Sequence, residues 1–213
     1  VCDYWSLQGA ARHVISAFDI ALTDAKSKSL ECPACDLLGN SDVDSIEVYG
    51  SGGICDTKEH FREELEFLKS LGIKKYKIRA LKEDIYKTSW ILNEAKKFEI
   101  QVGIDMCQNL ADPPQKIEDV INYVNEIKKH TNEKILFLEE AVGPSNPKGF
   151  KELRKKLDID ICGGEVITTT YEMLERISEE IYDFVQPDAS VVGGMKAVVD
   201  IFESSKKRGI DTV

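Results

Sequence analysis

Long apolar runs are missing from this sequence: none approaches the ~20 residues a helix needs to cross a bilayer, so no membrane partner is expected. Positive charge is in short supply. The 213 residues hold 28 Lys and Arg against 38 Asp and Glu, a net charge of −10. Nucleic-acid binding rests on Lys and Arg neutralising phosphate, so nucleic acid is excluded as a partner. The local clusters Lys74-Lys75 and Lys206-Lys207-Arg208 read as solvated helix faces. A phosphate-cradling turn is missing as well, because Gly50-Ser51-Gly52-Gly53 lacks the GxGxxG spacing. Of six cysteines, only Cys32-Pro33-Ala34-Cys35 is suggestively spaced. No βαβ start precedes it and no second Cys or His pair completes a zinc tetrad. Reduced thiols in a cytoplasmic protein are the expectation.

What is present is alternation. With 42% hydrophobic residues the chain can bury one sizeable core. Before residue 45, Val14 to Leu30 reads as a helix with Ala17, Ala21 and Ala25 on its packing face. After it, Ile46–Tyr49 reads as a strand closed by the glycine cluster. Helical spacing of Phe61, Leu65, Leu68 and Leu71 predicts a helix over 57–71, and Gly72 ends it. A strand over 73–80, a helix over 84–98 and a strand ending at Asp105 follow. Pro113-Pro114 opens the next helix. Further strands are expected at 135–138, 159–162, 182–186 and from 210, with helices at 148–157, 170–178 and 196–208. Strands alternating with helices imply a parallel sheet. Seven strand starts at roughly even spacing predict an α/β fold, a (β/α)8-type (TIM-like) barrel that is incomplete here.

Four acidic positions fall where these strands run out: Asp105, the pair Glu139-Glu140, Glu165 and Asp188. One carboxylate at a strand end means little. Several on successive parallel strands converge, and converging carboxylates repel unless a hard cation neutralises them. The expected cofactor is Mg2+, held by Asp105, one glutamate of the pair and Glu165. Such an ion takes up enediolate charge as the proton α to a bound carboxylate leaves. Lys77 and Arg79, two apart on one strand, share a face. Two cations there call for neighbouring carboxylates and an anionic substrate.

The motifs together resemble the enolase superfamily, in its mandelate racemase-like branch. Ala21-Leu22-Thr23-Asp24-Ala25-Lys26, Pro33 and Leu37-Leu38-Gly39 are similar to the end of its capping segment. Lys77-Ile78-Arg79 resembles the second-strand Lys-x-Lys, and Gly103-Ile104-Asp105 through Gln108 the third-strand metal motif. Leu138-Glu139-Glu140, Gly163-Gly164-Glu165, and Gln186-Pro187-Asp188 with Gly193-Gly194 resemble the fourth to sixth. The resemblance implies residues 1–44 as the C-terminal part of a capping domain and 45–213 as the barrel, from strand 1 to the start of strand 7. It implies Asp105, Glu139 and Glu165 as Mg2+ ligands, Lys77 beside the substrate carboxylate, and Asp188 orienting a histidine of the next strand. That histidine lies beyond the sequence given, and none of His13, His60 and His130 sits at a strand end to replace it.

Three positions depart from the pattern. Arg79 stands where the second-strand base is usually lysine, and a guanidinium does not accept a proton. Cys107 replaces an Asn, and Ala141 a proline. Loss of the cation-side base favours one-base elimination. The resemblance therefore implies a lyase acting on a small-molecule carboxylate, a sugar acid dehydratase, as a cytoplasmic homo-oligomer. A racemase or epimerase of a 2-hydroxy acid is the nearest alternative. A catalytically incomplete chain that only binds metal is another.

Overall fold

The computed structural model describes residues 7–39, 45–54 and 57–213. The chain divides into two compact units. One is Glu47–Cys162; the other joins the described residues up to Ile46 with Gly163–Val213.

In the first unit β1 (Gly50–Gly52) is followed by α3 (Lys58–Ser70), β2 (Lys75–Arg79), α4 (Ile85–Lys97), β3 (Gln101–Asp105), α5 (Ile117–His130), β4 (Ile135–Glu139) and α6 (Pro147–Lys156). β5 (Asp160–Gly163) closes it; the two helices numbered before α3, α1 (Ala10–Ser29) and α2 (Ala34–Leu38), belong to the other unit. The strands pair in parallel and in chain order. The helices form for local reasons. Thr57 Oγ1 accepts from the His60 amide, Asn146 Oδ1 from Gly149, and the Asp119 carboxylate from the Lys116 amide. Phe61, Leu65 and Leu68 on α3, Ile91, Leu92 and Ala95 on α4, and Val120, Val124 and Ile127 on α5 form their buried stripes. Tyr76 and Ile78 alternate on β2 with Lys77 and Arg79, so the apolar pair is buried and the cationic pair takes the other face.

The first strand is displaced from its expected place. It runs over Gly50–Gly52, against Tyr76–Ile78, and not over Ile46–Tyr49. Ile46 and Val48 are exposed despite their β-branched side chains. Close packing decides the matter. A Cβ on Gly50 would lie 2.4 Å from Leu68 Cδ2, and one on Gly53 2.6 Å from Ile78 Cβ. Gly53 also has φ +78. Only glycine lets the strand approach this helix, and β-propensity carries no such information. Pro113 and Pro114 precede α5 by several residues and do not open it.

In the second unit α1 (Ala10–Ser29) and α2 (Ala34–Leu38) come first. After β5 come α7 (Thr170–Ser178), β6 (Phe184–Val185), α8 (Ala189–Val192), α9 (Met195–Lys207) and β7 (Asp211–Thr212). β6 and β7 are parallel, with Phe184 opposite Asp211. The packing face of α1 is not the expected alanine row: Ala17, Ala21 and Ala25 are exposed, and Ser16 and Ser27 are buried. Polar docking explains the rotation. Ser16 Oγ accepts from the Gly193 amide at 2.9 Å, and Asp19 Oδ2 from the Met195 amide at 2.8 Å. Asp19 therefore caps α9 from another helix. The short α8 was not anticipated; Asp188 caps it.

Candidate active site

Parallel pairing lines up one row of residues across the first unit. Arg79 is the register partner of Asp105, Asp105 of Glu139, and Glu139 of Cys162. Each lies at or near the C-terminal end of its strand, the end where parallel α/β folds place their chemistry. Lys77 stands one step inside the row on β2, opposite Gly103. Lys77, Arg79, Asp105 and Glu139 are thereby brought together, and alternation along the strands gives them a common face.

The central contact is an ion pair. Lys77 Nζ donates to Glu139 Oε1 at 2.5 Å, with side chains 12% and 1% exposed. The Tyr49 ring lies 5.8 Å from Nζ and 6.0 Å from the Phe137 ring, screening the pair on one side. Burial acts to lower the Lys77 pKa, but the hydrogen bond and charge of Glu139 outweigh it and hold it raised. Gly103 makes room for this layer, since its Cβ would meet the Phe137 ring at 2.3 Å. Arg79 is held less firmly. Its Nε lies 3.9 Å from Asp105 Oδ2 and its side chain is 54% exposed.

Beyond β3 and β4 the backbone turns sharply. Cys107 and Glu140 both have positive φ, 52° and 42°, uncommon for residues other than glycine. The Cys107 amide donates to Asp105 Oδ1 at 2.8 Å, fixing that carboxylate. Burial first, then the charge of Asp105, pushes the Cys107 thiol up to about 11. Cys162 is fully buried beside Glu139, its Sγ donating to Leu138 O, and burial holds its thiol protonated. The loop after β3 is pinned at three points. Gln108 donates to Met106 O and accepts from the Gln115 amide, and Gln115 Nε2 reaches Ala141 O at 2.7 Å.

The remaining two acids lie in the second unit. Glu165 is half-buried in the turn two residues past β5. Asp188 is exposed, three residues past β6, and its carboxylate accepts from the Ser190 amide at 2.7 Å and hydroxyl at 2.6 Å. Among the described residues no group of three or more Asp, Glu, His or Cys is gathered closely enough to hold a metal ion. The donors present are nevertheless of the right kind. Asp105 and Glu139 offer hard oxygens from adjacent strand ends, and the Lys77 ammonium already sits against one of them.

Sequence reasoning missed Tyr49 and Cys162. The glycine in mid-strand was a usable signal for close approach at Gly103. Tyr49 and Cys162 gave none, because their importance depends on register.

A family profile described as enolase C-terminal domain-like matches residues 60–213, and the chain belongs to that family. It is 29% identical over 207 residues to the L-talarate/galactarate dehydratase of Salmonella typhimurium, covering 94% of this chain and 50% of that protein. The crystal structure of the 3,6-anhydro-D-galactonate cycloisomerase from Zobellia galactanivorans superposes with a TM-score of 0.84 at 26% identity. It covers 100% of this chain and 58% of that one. A mutant L-talarate/galactarate dehydratase liganded with Mg and L-glucarate gives 0.78 at 26% identity, with 95% and 50% covered. These likenesses establish the fold as the incomplete (β/α)8-type barrel expected from the strand spacing. The chain spans about half the length of the curated relative it matches.

Proposed function

We propose that the chain is the larger part of the barrel of a Mg2+-dependent lyase, a sugar acid dehydratase that removes the proton α to its substrate's carboxylate. The observation that carries this reading is the in-register pair Asp105 and Glu139, two buried carboxylates ending adjacent strands beside Lys77 and Arg79. Like charges so placed call for a cation, and hard oxygens suit Mg2+. Asp105 and Glu139 would hold the ion, with Glu165 as a third ligand on the resemblance alone. When bound, it would draw charge from a substrate carboxylate and acidify the adjacent C–H. The dehydratase relative and the Mg- and L-glucarate-liganded structure support this choice of chemistry.

Within the chain's own residues, Lys77 fixes the Glu139 carboxylate and Arg79 adds positive charge at the strand ends. Asp188 is proposed to orient a histidine base. Arg79 stays protonated and accepts no proton, so elimination with one base is favoured over racemisation or epimerisation, which needs a proton relay on both faces. Residues 1–44 are proposed as the end of a capping domain and 45–213 as the barrel. The enzyme is proposed to be a cytoplasmic homo-oligomer without nucleic-acid or membrane partners. Among the described residues no helix is long and apolar enough to cross a membrane. The test is Mg2+-dependent conversion of galactarate or D-gluconate to a 2-keto product. Absence of Mg2+ binding in a calorimetric titration would overturn the reading.

A further inference from the structure

We infer that helix α1 sets the position of Asp188, and that Ser16 and Asp19 are positioning residues for the proposed reaction. The inference rests on the function proposed above, in which Asp188 orients a histidine base, and extends it to residues of a distant helix. Asp188 is exposed, and its carboxylate accepts from the Ser190 amide and hydroxyl, both in its own turn. Contacts so local shape the turn without fixing where the turn lies.

The anchor is at the far end of α8. The Val191 and Val192 amides donate to Asp188 O at 3.0 and 2.9 Å, and the Gly194 amide to Ala189 O at 3.1 Å. Asp188 and Gly193-Gly194 are thus the two ends of one hydrogen-bonded turn, and whatever holds one end places the other. The far end is held by α1. Ser16 is wholly buried, and its Oγ donates to Arg12 O at 2.8 Å, which leaves a lone pair for the Gly193 amide 2.9 Å away. One turn on, Asp19 Oδ2 accepts from the Met195 amide at 2.8 Å. A helix is usually capped by its own N-cap side chain, but the N-cap of α9 is Gly194, which has none. The cap comes from α1 instead. The approach is tight: a Cβ on Gly194 would lie 2.2 Å from Asp19 Oδ2, and Gly193 and Gly194 have φ of +120° and +105°. The start of α1 also reaches the loop of the other acid in this unit. The Gly9 amide donates at 3.1 Å to the hydroxyl of Thr168, which follows Glu165 in the same loop.

The test uses the full-length enzyme with Mg2+, and reads amide exchange together with turnover of galactarate and D-gluconate. Ser16→Ala and Asp19→Ala are each expected to speed exchange of the Val191 and Val192 amides about tenfold. Each should also lower kcat about tenfold with KM within about twofold, because a misplaced orienting carboxylate slows the chemical step without touching the substrate. Asp19→Asn, which keeps an acceptor oxygen, should recover most of both losses. Ser27→Ala removes a buried hydroxyl of the same helix that bonds to Asp24 O within it, and should change neither. On an Asp188→Asn background, Asp19→Ala should lower kcat no further, since its effect passes through Asp188. Additive losses in that cycle, or unchanged exchange at Val191 and Val192 in folded Ser16→Ala and Asp19→Ala, would overturn the inference while leaving the proposed function standing. If the unsubstituted enzyme bound no Mg2+ or turned over neither acid, the proposed function itself would fall, and the role of Ser16 and Asp19 in it.

Discussion

Lys77 of β2 and Glu139 of β4 form an ion pair of 2.5 Å over the intervening strand β3, on which Gly103 is the register partner of Lys77 and Asp105 that of Glu139. A Cβ on Gly103 would meet the Phe137 ring at 2.3 Å, so the glycine leaves room for the ring packed beside this row. The ion pair neutralises a carboxylate that the fold has buried at the place where the proposed cation would bind.

The pair should be worth more than a surface contact. Lys77→Met leaves a buried Glu139 charge uncompensated and is expected to cost about 3–5 kcal/mol in denaturant unfolding. Lys77→Met with Glu139→Gln should cost distinctly less than the sum of the two single changes. Additive losses would show that the two groups do not interact.

Gly103 carries a packing constraint of its own. An added Cβ would fall 2.3 Å from the Phe137 ring, so Gly103→Ala should destabilise the protein by about 1–3 kcal/mol, the usual penalty of overpacking. Phe137→Leu placed on the same background should return part of that loss. A Gly103→Ala variant with an unshifted melting temperature would contradict the packing described.

Much of this was legible before any coordinates. Helices with a three-to-four-residue apolar stripe and a side-chain cap, such as Lys58–Ser70, fell within a residue of their expected bounds. Asp105 and Glu139 are readable because each ends a short, mostly apolar run of the kind that forms a buried parallel strand. The rest depended on contacts between segments distant in sequence. β1 is set by the room left beside Leu68 and Ile78, which puts glycine, a poor strand former, at both ends of the strand. The buried face of α1 is chosen by hydrogen bonds to Gly193 and Met195 more than 170 residues away. Asp188 was read for its place after a strand, yet its present partners belong to the short helix it caps.

Asp19 supplies a third test. It accepts from the Met195 amide at the start of α9, a capping contact made from another helix. Asp19→Ala should cost about 1 kcal/mol, within the range for lost caps, and Asp19→Asn should recover most of it. Gly194→Ala should cost more, because its Cβ would lie 2.2 Å from Asp19 Oδ2 at a backbone φ of +105. Thermal unfolding of the three variants orders them directly.

Thiol chemistry gives the fourth. Cys107 has its thiol held at about 11 by burial and the Asp105 charge, so at pH 8 only on the order of one part in a thousand is thiolate. Iodoacetamide at that pH should label exposed Cys35 first and Cys107 far more slowly, as read by peptide mass spectrometry. Raising the pH toward 11 should accelerate Cys107 about tenfold per unit until the thiolate predominates. Cys162, wholly buried, should stay unlabelled throughout unless the protein unfolds. Fast labelling of Cys107 at pH 8 would mean that burial and the Asp105 charge do not hold the thiol protonated.

The ion pair sets the last expectation, in alkaline solution. The folded-state pKa of Lys77 is raised: burial pulls it down, but the hydrogen bond and charge of Glu139 win. A group whose folded pKa exceeds its unfolded value stabilises the fold fully below the unfolded pKa, ~10.4 for lysine, and loses that contribution as pH rises through the folded value. The native protein should therefore keep the Lys77 contribution unchanged from pH 6 to 9 and lose it only above roughly pH 10. Lys77→Met should have lower stability across the neutral range and a shallower alkaline decline. Difference curves from urea unfolding at pH 7, 9 and 10.5 separate this group from other lysines, because only the difference between the two proteins reports on it. A difference that shrank already between pH 7 and 9 would mean that Lys77 loses its proton more easily than a free lysine. Burial would then outweigh Glu139, and the pair would not be a fixed neutral unit.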